Sequence, residues 1–562
     1  MIAALTIVQG EEGHMRIARR LLGGVVLALL AGTAAAGTYV DRLEDGTILL
    51  KLGPGYDNAV IETSVDELGS LIGAGGTPFA GTHVTLLTHD EGIKGPISGP
   101  IQAFKPVWEE LTGGTLEVVL VPIGNLHAEA MLDLERGSGL YDALVVPAFF
   151  YGDLIAGGHI APVEPFMTSG RHPRWSYEVM PPALRTLYGW EGVGYGVLND
   201  ADGQILYYRR DVLNDPDERA AFRTALGYDL PVPPRTWQQV LDIARFFDGR
   251  NWDHHDEQPD SGMVLHLRAG EQGHYHFQSL SASFAITPGE RVDRSHNVYW
   301  FDPTTMTPLI NRPGHVAALE LLLQLAELGP GEQIGWRLPQ AWEYFLRGKA
   351  VMTFSWGDLG ALCQDPVRSQ VRGNCAATVL PGSTRHWDLA TGAWAETANP
   401  EPVGNTTGGS WHGVIAAQSQ NQEAAYSFLA LMATRPVSLW NVEHGWTGVD
   451  PGFRHQFPPP WGDARLADYI KAGWDQADVR DYLGAFAENF TAPTMLNYLR
   501  IRGTPDYWAA LDRELAAALG QRKSAQQALD DVAAAWEAIT DRLGRDEQRR
   551  AYQAAIGFAD EG

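Results

Sequence analysis

Between Thr82 and Val146, short β-branched and apolar runs alternate with amphipathic stretches, and this alternation limits the fold more than any other feature of the chain. Thr82 to Leu87 has the length and composition of a strand. Ile101, Phe104, Val107, Trp108 and Leu111 follow at helical spacing, with Pro100 placed in the first turn and Pro106 expected to kink the helix. Glu117 to Val121 reads as a second strand. Asn125 can cap a helix carrying Leu126, Ala130 and Leu134, Gly137 can end it, and Tyr141 to Val146 reads as a buried third strand. Strands separated by helices imply a parallel sheet covered on both faces. In such sheets ligands bind beyond the carboxyl ends of the strands. That rule sets His89, Asp90 and Glu91 after the first strand, and Phe149 and Phe150 after the third, on one rim.

A second group of elements surrounds another apolar run, Ala350 to Ser355, which stops on Trp356-Gly357-Asp358. A buried strand ending this way presents a flat ring and a carboxylate at the sheet edge, although a core strand closed by a Gly turn has the same pattern. Upstream, Tyr195 to Leu198 and Ile205 to Tyr208 read as strands joined by Asn199-Asp200-Ala201-Asp202-Gly203, an acidic loop that suits a polar lining or a chain crossover. Thr236 is placed to cap a helix, Ala317 to Leu328 is amphipathic, and Val379-Leu380-Pro381-Gly382 reads as a strand running into a turn. Gly408-Gly409-Ser410-Trp411 leads into the run Val414 to Ala416, and Glu423 to Met432 forms an apolar-faced helix. The tail is helical, with Ser524 and Gln527 as a capping box. Trp237 and Trp536 fall inside helix patterns and are assigned to the core. Residues 37–81 are Gly-rich and weakly patterned, with only Thr47 to Leu52 reading as a strand.

A chain of 562 residues exceeds what one core can hold, so two large lobes or several domains are expected. Its 68 Asp and Glu against 42 Lys and Arg argue against a nucleic-acid backbone or a polybasic membrane site as partner. Near the start, Arg16, Arg19 and Arg20 after Met15 precede the apolar run Leu21 to Ala31, and Ala34-Ala35-Ala36 offers a small-residue cleavage site before Gly37. Residues 15–36 are therefore read as a cleavable signal peptide, and no Cys follows to carry a lipid anchor. In an oxidising compartment Cys363 and Cys375 can pair as a disulfide; two free buried thiols are the other reading.

The chain lacks G-x-S-x-G, H-E-x-x-H and a Walker phosphate loop. Carboxylates for glycoside cleavage can be drawn from Asp90, Glu91, Asp200, Asp202 and Asp358, but their spacing in sequence fixes no separation in space. His274-x-His276 and His254-His255-Asp256 lack a third ligand at matched spacing, so no metal and no cofactor are expected. What remains is a set of rings and acids at element ends. Sugars, with apolar C–H faces and a fringe of hydroxyls, need such rings to stack on and such acids as acceptors.

Taken together, V-T-L-L-T-H-D-E-G, L-N-D-A-D-G-Q-I-L-Y-Y-R-R-D, P-P-R-T-W-Q-Q-V, F-L-R-G-K-A-V-M-T-F-S-W-G-D, V-L-P-G and G-G-S-W-H-G-V-I-A-A resemble the bacterial extracellular solute-binding proteins of family 1, the maltose-binding-like components of carbohydrate ABC transporters. The resemblance runs from about Thr82 to about Gly557. It implies an α/β, two-lobed periplasmic-binding-protein fold of class II, the Venus-flytrap arrangement, with crossover hinge segments and a helical C-terminus. Residues 82–198 and 356–432 would form lobe 1, residues 199–355 and 433–562 lobe 2, and residues 37–81 an N-terminal extension. It further implies a monomeric periplasmic protein that captures a sugar or polyol and delivers it to membrane permease subunits, without enzymatic activity. The ligand-binding residues implied are His89, Asp90, Glu91, Phe149, Phe150, Asp200, Asp202, Trp356, Asp358, Trp411 and Trp508, the last from the late aromatic pair Tyr507-Trp508. Two other readings remain: a secreted glycoside hydrolase, and an accessory protein presenting a ligand to a sensor or oxidase. The acidic rim also admits an amino-bearing ligand.

Overall fold

The computed structural model describes residues 38–56, 59–92, 95–252, 259–445 and 447–559. The signal-peptide segment 15–36 and the His254-His255-Asp256 cluster lie outside the described residues.

The expected strands of the first unit form one sheet. In spatial order it runs Val197–Leu198, His412–Ala416, Ala143–Val146, His83–His89 and Thr115–Val121, with Ile160–Ala161 paired to the end of His412–Ala416. His83–His89 lies parallel to both Thr115–Val121, with Leu86 opposite Val118, and Ala143–Val146. The connecting helices are Ser98–Thr112, with Pro100 in its first turn and Pro106 inside, and Ile123–Arg136. The latter starts after Pro122 rather than at Asn125, whose N–H instead donates to the Pro122 carbonyl. It ends on Gly137, whose φ of 64° suits a residue without a Cβ. Helix Gln422–Ala433 covers the sheet with every residue from Ala424 onward buried, and Trp108 donates its indole N–H to Ser427 Oγ at 2.9 Å.

The second sheet runs Ser261–Met263, Ala350–Ser355, Ile205–Arg209 and Cys375–Thr378. Ile205–Arg209 is antiparallel to both neighbours, with Tyr207 opposite Thr353 on one side and Ala377 on the other. One expectation is corrected here. The strand expected at Val379-Leu380 lies just before it, at Cys375–Thr378, because these residues pair with Leu206 to Arg209. Thr236 caps helix Trp237–Phe247 through a complete capping box, and Ser524 does the same for Ala525–Leu543. Trp237 and Trp536 are buried, as expected of core residues. Helix Thr504–Leu519 packs on both the Ala148–Phe150 turn and helix His274–Ala285, so the C-terminal helices touch elements of both sheets.

Residues 39–73 carry more structure than their composition suggests. Val40–Arg42, Thr47–Lys51 and Val60–Ser64 form an antiparallel sheet followed by helix Val65–Gly73. Ile48, Leu50, Ile61, Leu68 and Ile72 are buried, and Tyr56 meets Trp440 edge-on at 5.6 Å. Gly69, at φ 75°, sits where a Cβ would lie 2.2 Å from the His172 carbonyl oxygen, so the close approach of helix and loop requires glycine.

Candidate ligand-binding site

His89 is the last residue of the first parallel strand and Trp411 immediately precedes His412–Ala416, so the two rims meet. Their rings stack with centroids 4.3 Å apart and planes 22° off parallel. The second sheet supplies Trp356 and Asp358, which follow Ala350–Ser355 where that strand gives way to helix Asp358–Cys363. Asp200 and Asp202 lie on the short segment leading from Val197–Leu198 in the first sheet to Ile205–Arg209 in the second.

These residues are fixed by hydrogen bonds that leave part of each functional group uncommitted. The Asp200 N–H donates to the Trp411 carbonyl at 2.9 Å. Asp202 Oδ2 accepts from Ser410 N–H at 2.5 Å, and Asp200 Oδ1 accepts from Asp450 N–H at 2.7 Å. Asp450 Oδ2 accepts from Gly357 N–H at 2.8 Å. Trp356 donates its indole N–H to the Thr407 carbonyl at 2.6 Å, while its own carbonyl accepts from Tyr207 OH at 2.9 Å. The Trp356 ring is flanked by His266 at 5.2 Å and by Tyr275 edge-on at 5.6 Å.

His89, Glu91, Asp200, Asp202, Trp356, Asp358 and Trp411 line one cavity of about 180 Å³. The other residues named from sequence lie elsewhere. Asp90 is exposed, and its Oδ1 accepts from Gly92 N–H in the turn after the strand. Phe149 packs on Trp508 at 4.6 Å and on Phe150 at 4.9 Å, an aromatic group outside the cavity lining that His274 joins and that Tyr275 links to Trp356. Sequence reasoning missed Trp342, Glu271 and Arg337, which line the cavity, and Asp450, which reaches it through Asp200. Trp342 has the apolar spacing of an ordinary helix residue, and Asp450 stands in a loop without periodicity. The His-x-His pair lies on helix His274–Ala285, where residues two apart point away from each other, and His276 Nε2 contacts His266 Nδ1 at 2.9 Å instead.

Electrostatically the site is a cluster of acids taken out of water. Burial pushes the carboxyls of Asp202 and Asp358 up to about 7, the latter with added repulsion from Asp202. Asp200 and Asp450 are raised well above the ordinary carboxylate value by burial and by each neighbouring acid. Asp200, with the higher affinity for a proton, can donate it to Asp202 as a hydrogen bond. Glu91 is the exception: the His89 ring, with Nδ1 3.7 Å from Glu91 Oε1, holds this carboxyl below its usual value. Oxygens of Asp200, Asp202 and Asp450 lie within 4.8 Å of one another. The arrangement offers acceptors, carboxyls that hold protons and flat rings, and these can hold a small polar solute.

Comparison with known proteins bears on this geometry. A family model described as bacterial extracellular solute-binding protein matches residues 102–443. No curated protein matches the chain. Among solved structures, an ABC transporter solute-binding protein from Agrobacterium radiobacter K84 in complex with ribitol is similar at 17% identity and a TM-score of 0.60, covering 82% of this chain and 99% of its own. A solute-binding protein from Agrobacterium vitis S4 with bound D-mannitol gives 17% identity and a TM-score of 0.58, over 82% and 99% of the two chains. Maltose-bound MalE3 of T. maritima gives 16% identity and a TM-score of 0.58, over 82% and 100%. Identities this low speak for the fold alone, but the family model spans more than half of the chain. The chain belongs to the bacterial extracellular solute-binding proteins.

Proposed function

We propose that this protein is the periplasmic substrate-binding component of an ABC transporter, that it captures a sugar or polyol in the cavity between Trp356 and Trp411, and that it delivers the ligand to membrane permease subunits. The observation carrying this reading is the cavity itself. His89 and Trp411 come from the first sheet, Trp356 and Asp358 from the second, and Asp200 and Asp202 from the segment between them, all lining one space. A solute touching all three would favour the arrangement that brings them together, which is how binding drives closure. Similar folds in complex with ribitol, D-mannitol and maltose support the ligand class.

In this reading the lobes follow the sheets. Residues 82–198 and 412–433 make one, residues 205–378 the core of the other, and the segments 199–204 and 379–411 are the crossings. Residues 15–36 direct export and are removed. Among the described residues no helix is long and apolar enough to cross a membrane. Binding involves no bond making.

The test is a titration of the exported protein with sugars and polyols, ribitol, D-mannitol, maltose and D-tagatose among them, followed by tryptophan fluorescence. Each mixture is then assayed for products. A saturable change with the ligand recovered intact is expected. Release of a product would move Asp202 and Asp358 to catalysis and overturn the reading.

A further inference from the structure

Charges around the cavity do not balance. Glu91, Asp200, Asp202, Asp358 and Glu271 line it, and Asp450 adjoins it. Among the described residues Arg337 is the one Lys or Arg in the lining, and its guanidinium already pairs with Glu271 at 3.1 Å. Glu91 has the His89 ring and Arg337 beside it, whereas Asp200, Asp202, Asp358 and Asp450 have no Lys or Arg partner among the described residues, an arrangement that costs free energy in a buried site.

We propose that the solute carries a positively charged amino group received by Asp202, Asp358 and their acidic neighbours, so that amino sugars or amino polyols are preferred over their neutral counterparts. This rests on the cavity being the solute site. Asp200 and Asp450 each commit one oxygen to a backbone N–H, Asp202 accepts from Ser410 N–H and from Asp200, and Asp358 Oδ1 has no hydrogen-bond partner. An ammonium brings three donors and matches the uncommitted oxygens. The aromatic faces of Trp356 and Trp411 suit a cation as well as a sugar ring. His89 is an independent sign of a built site. It is only 4% exposed, it lines the cavity, and neither of its ring nitrogens has a hydrogen-bond partner, so a hydroxyl on the same solute can engage it. A bare divalent cation could also use the three clustered carboxylates, but the rings would contribute nothing to it. Occupation by an ammonium would also make Asp202 and Asp358, both poised near 7, give up their protons. His89 and Glu91 face the same space, and Tyr188, Tyr207 and Tyr482 are held protonated by burial.

The experiment compares matched pairs by calorimetry at pH 7: 1-amino-1-deoxy-D-sorbitol against D-sorbitol, and D-glucosamine against D-glucose, with calcium chloride alone as a third arm. The amine of at least one pair is expected to bind roughly tenfold or more tightly than its neutral partner, the scale of one charge-assisted hydrogen bond. Its binding heat should vary with buffer in the sense of proton release. Asp202→Asn and Asp358→Asn, which keep shape and hydrogen-bonding capacity, should bring that ratio towards one and reduce the proton release. Neutral members binding as well as the amines would overturn the inference and leave solute capture standing, as would binding confined to other neutral sugars. Calcium binding that Asp202→Asn abolishes would overturn it in favour of a metal site. Silence across these probes and the wider sugar panel would overturn both readings.

Discussion

The backbone N–H of Asp450 donates to the Asp200 carboxylate at 2.7 Å, joining residues 250 apart in sequence, and Asp450 in turn accepts from Gly357 N–H. Three segments that line or adjoin the cavity are therefore tied by carboxylates as well as by packing. Asp450→Ala leaves the Gly357 donor buried without a partner and should cost about 1–3 kcal/mol in urea unfolding at pH 7. Asp450→Asn keeps an acceptor in place of a carboxyl that burial already holds protonated, so it should match the wild type. An alanine variant as stable as the wild type would show that this tie contributes nothing.

The same cluster sets a pH dependence. Asp202 and Asp358 have carboxyls near 7 in the folded protein against 3.8 ordinarily, so between these values the folded state holds protons that the unfolded chain has released. Stability therefore falls as pH rises from about 4 to about 7, the opposite of a salt-bridged carboxylate. Asp200 and Asp450, raised further, extend the decline to higher pH. Melting temperatures of the ligand-free protein should be higher near pH 5 than near pH 8, and Asp202→Asn should flatten the slope. A profile that rises over this range would contradict the assignment.

Trp356 should serve both packing and binding. It is 2% exposed and its indole N–H is committed to Thr407. Trp356→Ala should cost about 3–5 kcal/mol, as expected for emptying a buried aromatic site. Trp356→Phe keeps a ring and loses the hydrogen bond, at about 1 kcal/mol. If the ring stacks on the solute, the phenylalanine variant should retain weakened binding, and the fluorescence change on titration should shrink with it.

Cys363 ends the helix that begins at Asp358, and Cys375 begins the edge strand of the second sheet; their sulfur atoms meet with Cα atoms 6.3 Å apart. A disulfide here closes a loop spanning 12 positions and should contribute about 3 kcal/mol through the unfolded chain. Reductant should lower the wild-type melting temperature and leave a Cys363→Ser, Cys375→Ser double variant unmoved. An equal response from both would mean the thiols are free.

Most of the sheet architecture was legible because the strands from Thr82 to Val146 are rich in apolar and β-branched residues and are separated by helices that stop on Gly113 and Gly137. The cavity was legible where chemistry sits at the end of such a strand, as with His89 and Trp356, since an element's end fixes the direction of the next side chain. It was not legible for Phe149 and Trp508. Both are rings near the right elements, but mutual packing satisfies them, and a sequence does not show which rings will find each other. Asp450 was missed for the converse reason, because its role depends on Asp200, far away along the chain. Of the N-terminal sheet only the strand at Thr47–Lys51 was legible; its neighbours Val40–Arg42 and Val60–Ser64 are short or partly exposed, so their alternation is weak.

That N-terminal sheet has a consequence for the order in which the molecule is assembled. Strand Val60–Ser64 packs against helix Arg435–Glu443, and Tyr56 against Trp440. Helix Ser98–Thr112 packs on Val40–Arg42 and Val65–Gly73 and can cover part of this unit early, but the surface facing Arg435–Glu443 waits hundreds of residues for its cover in a chain that emerges amino-terminus first. Contacts so distant in sequence make closure slow. During that interval the strand edges of residues 40–64 are the part of the nascent protein most in need of protection from pairing with another chain.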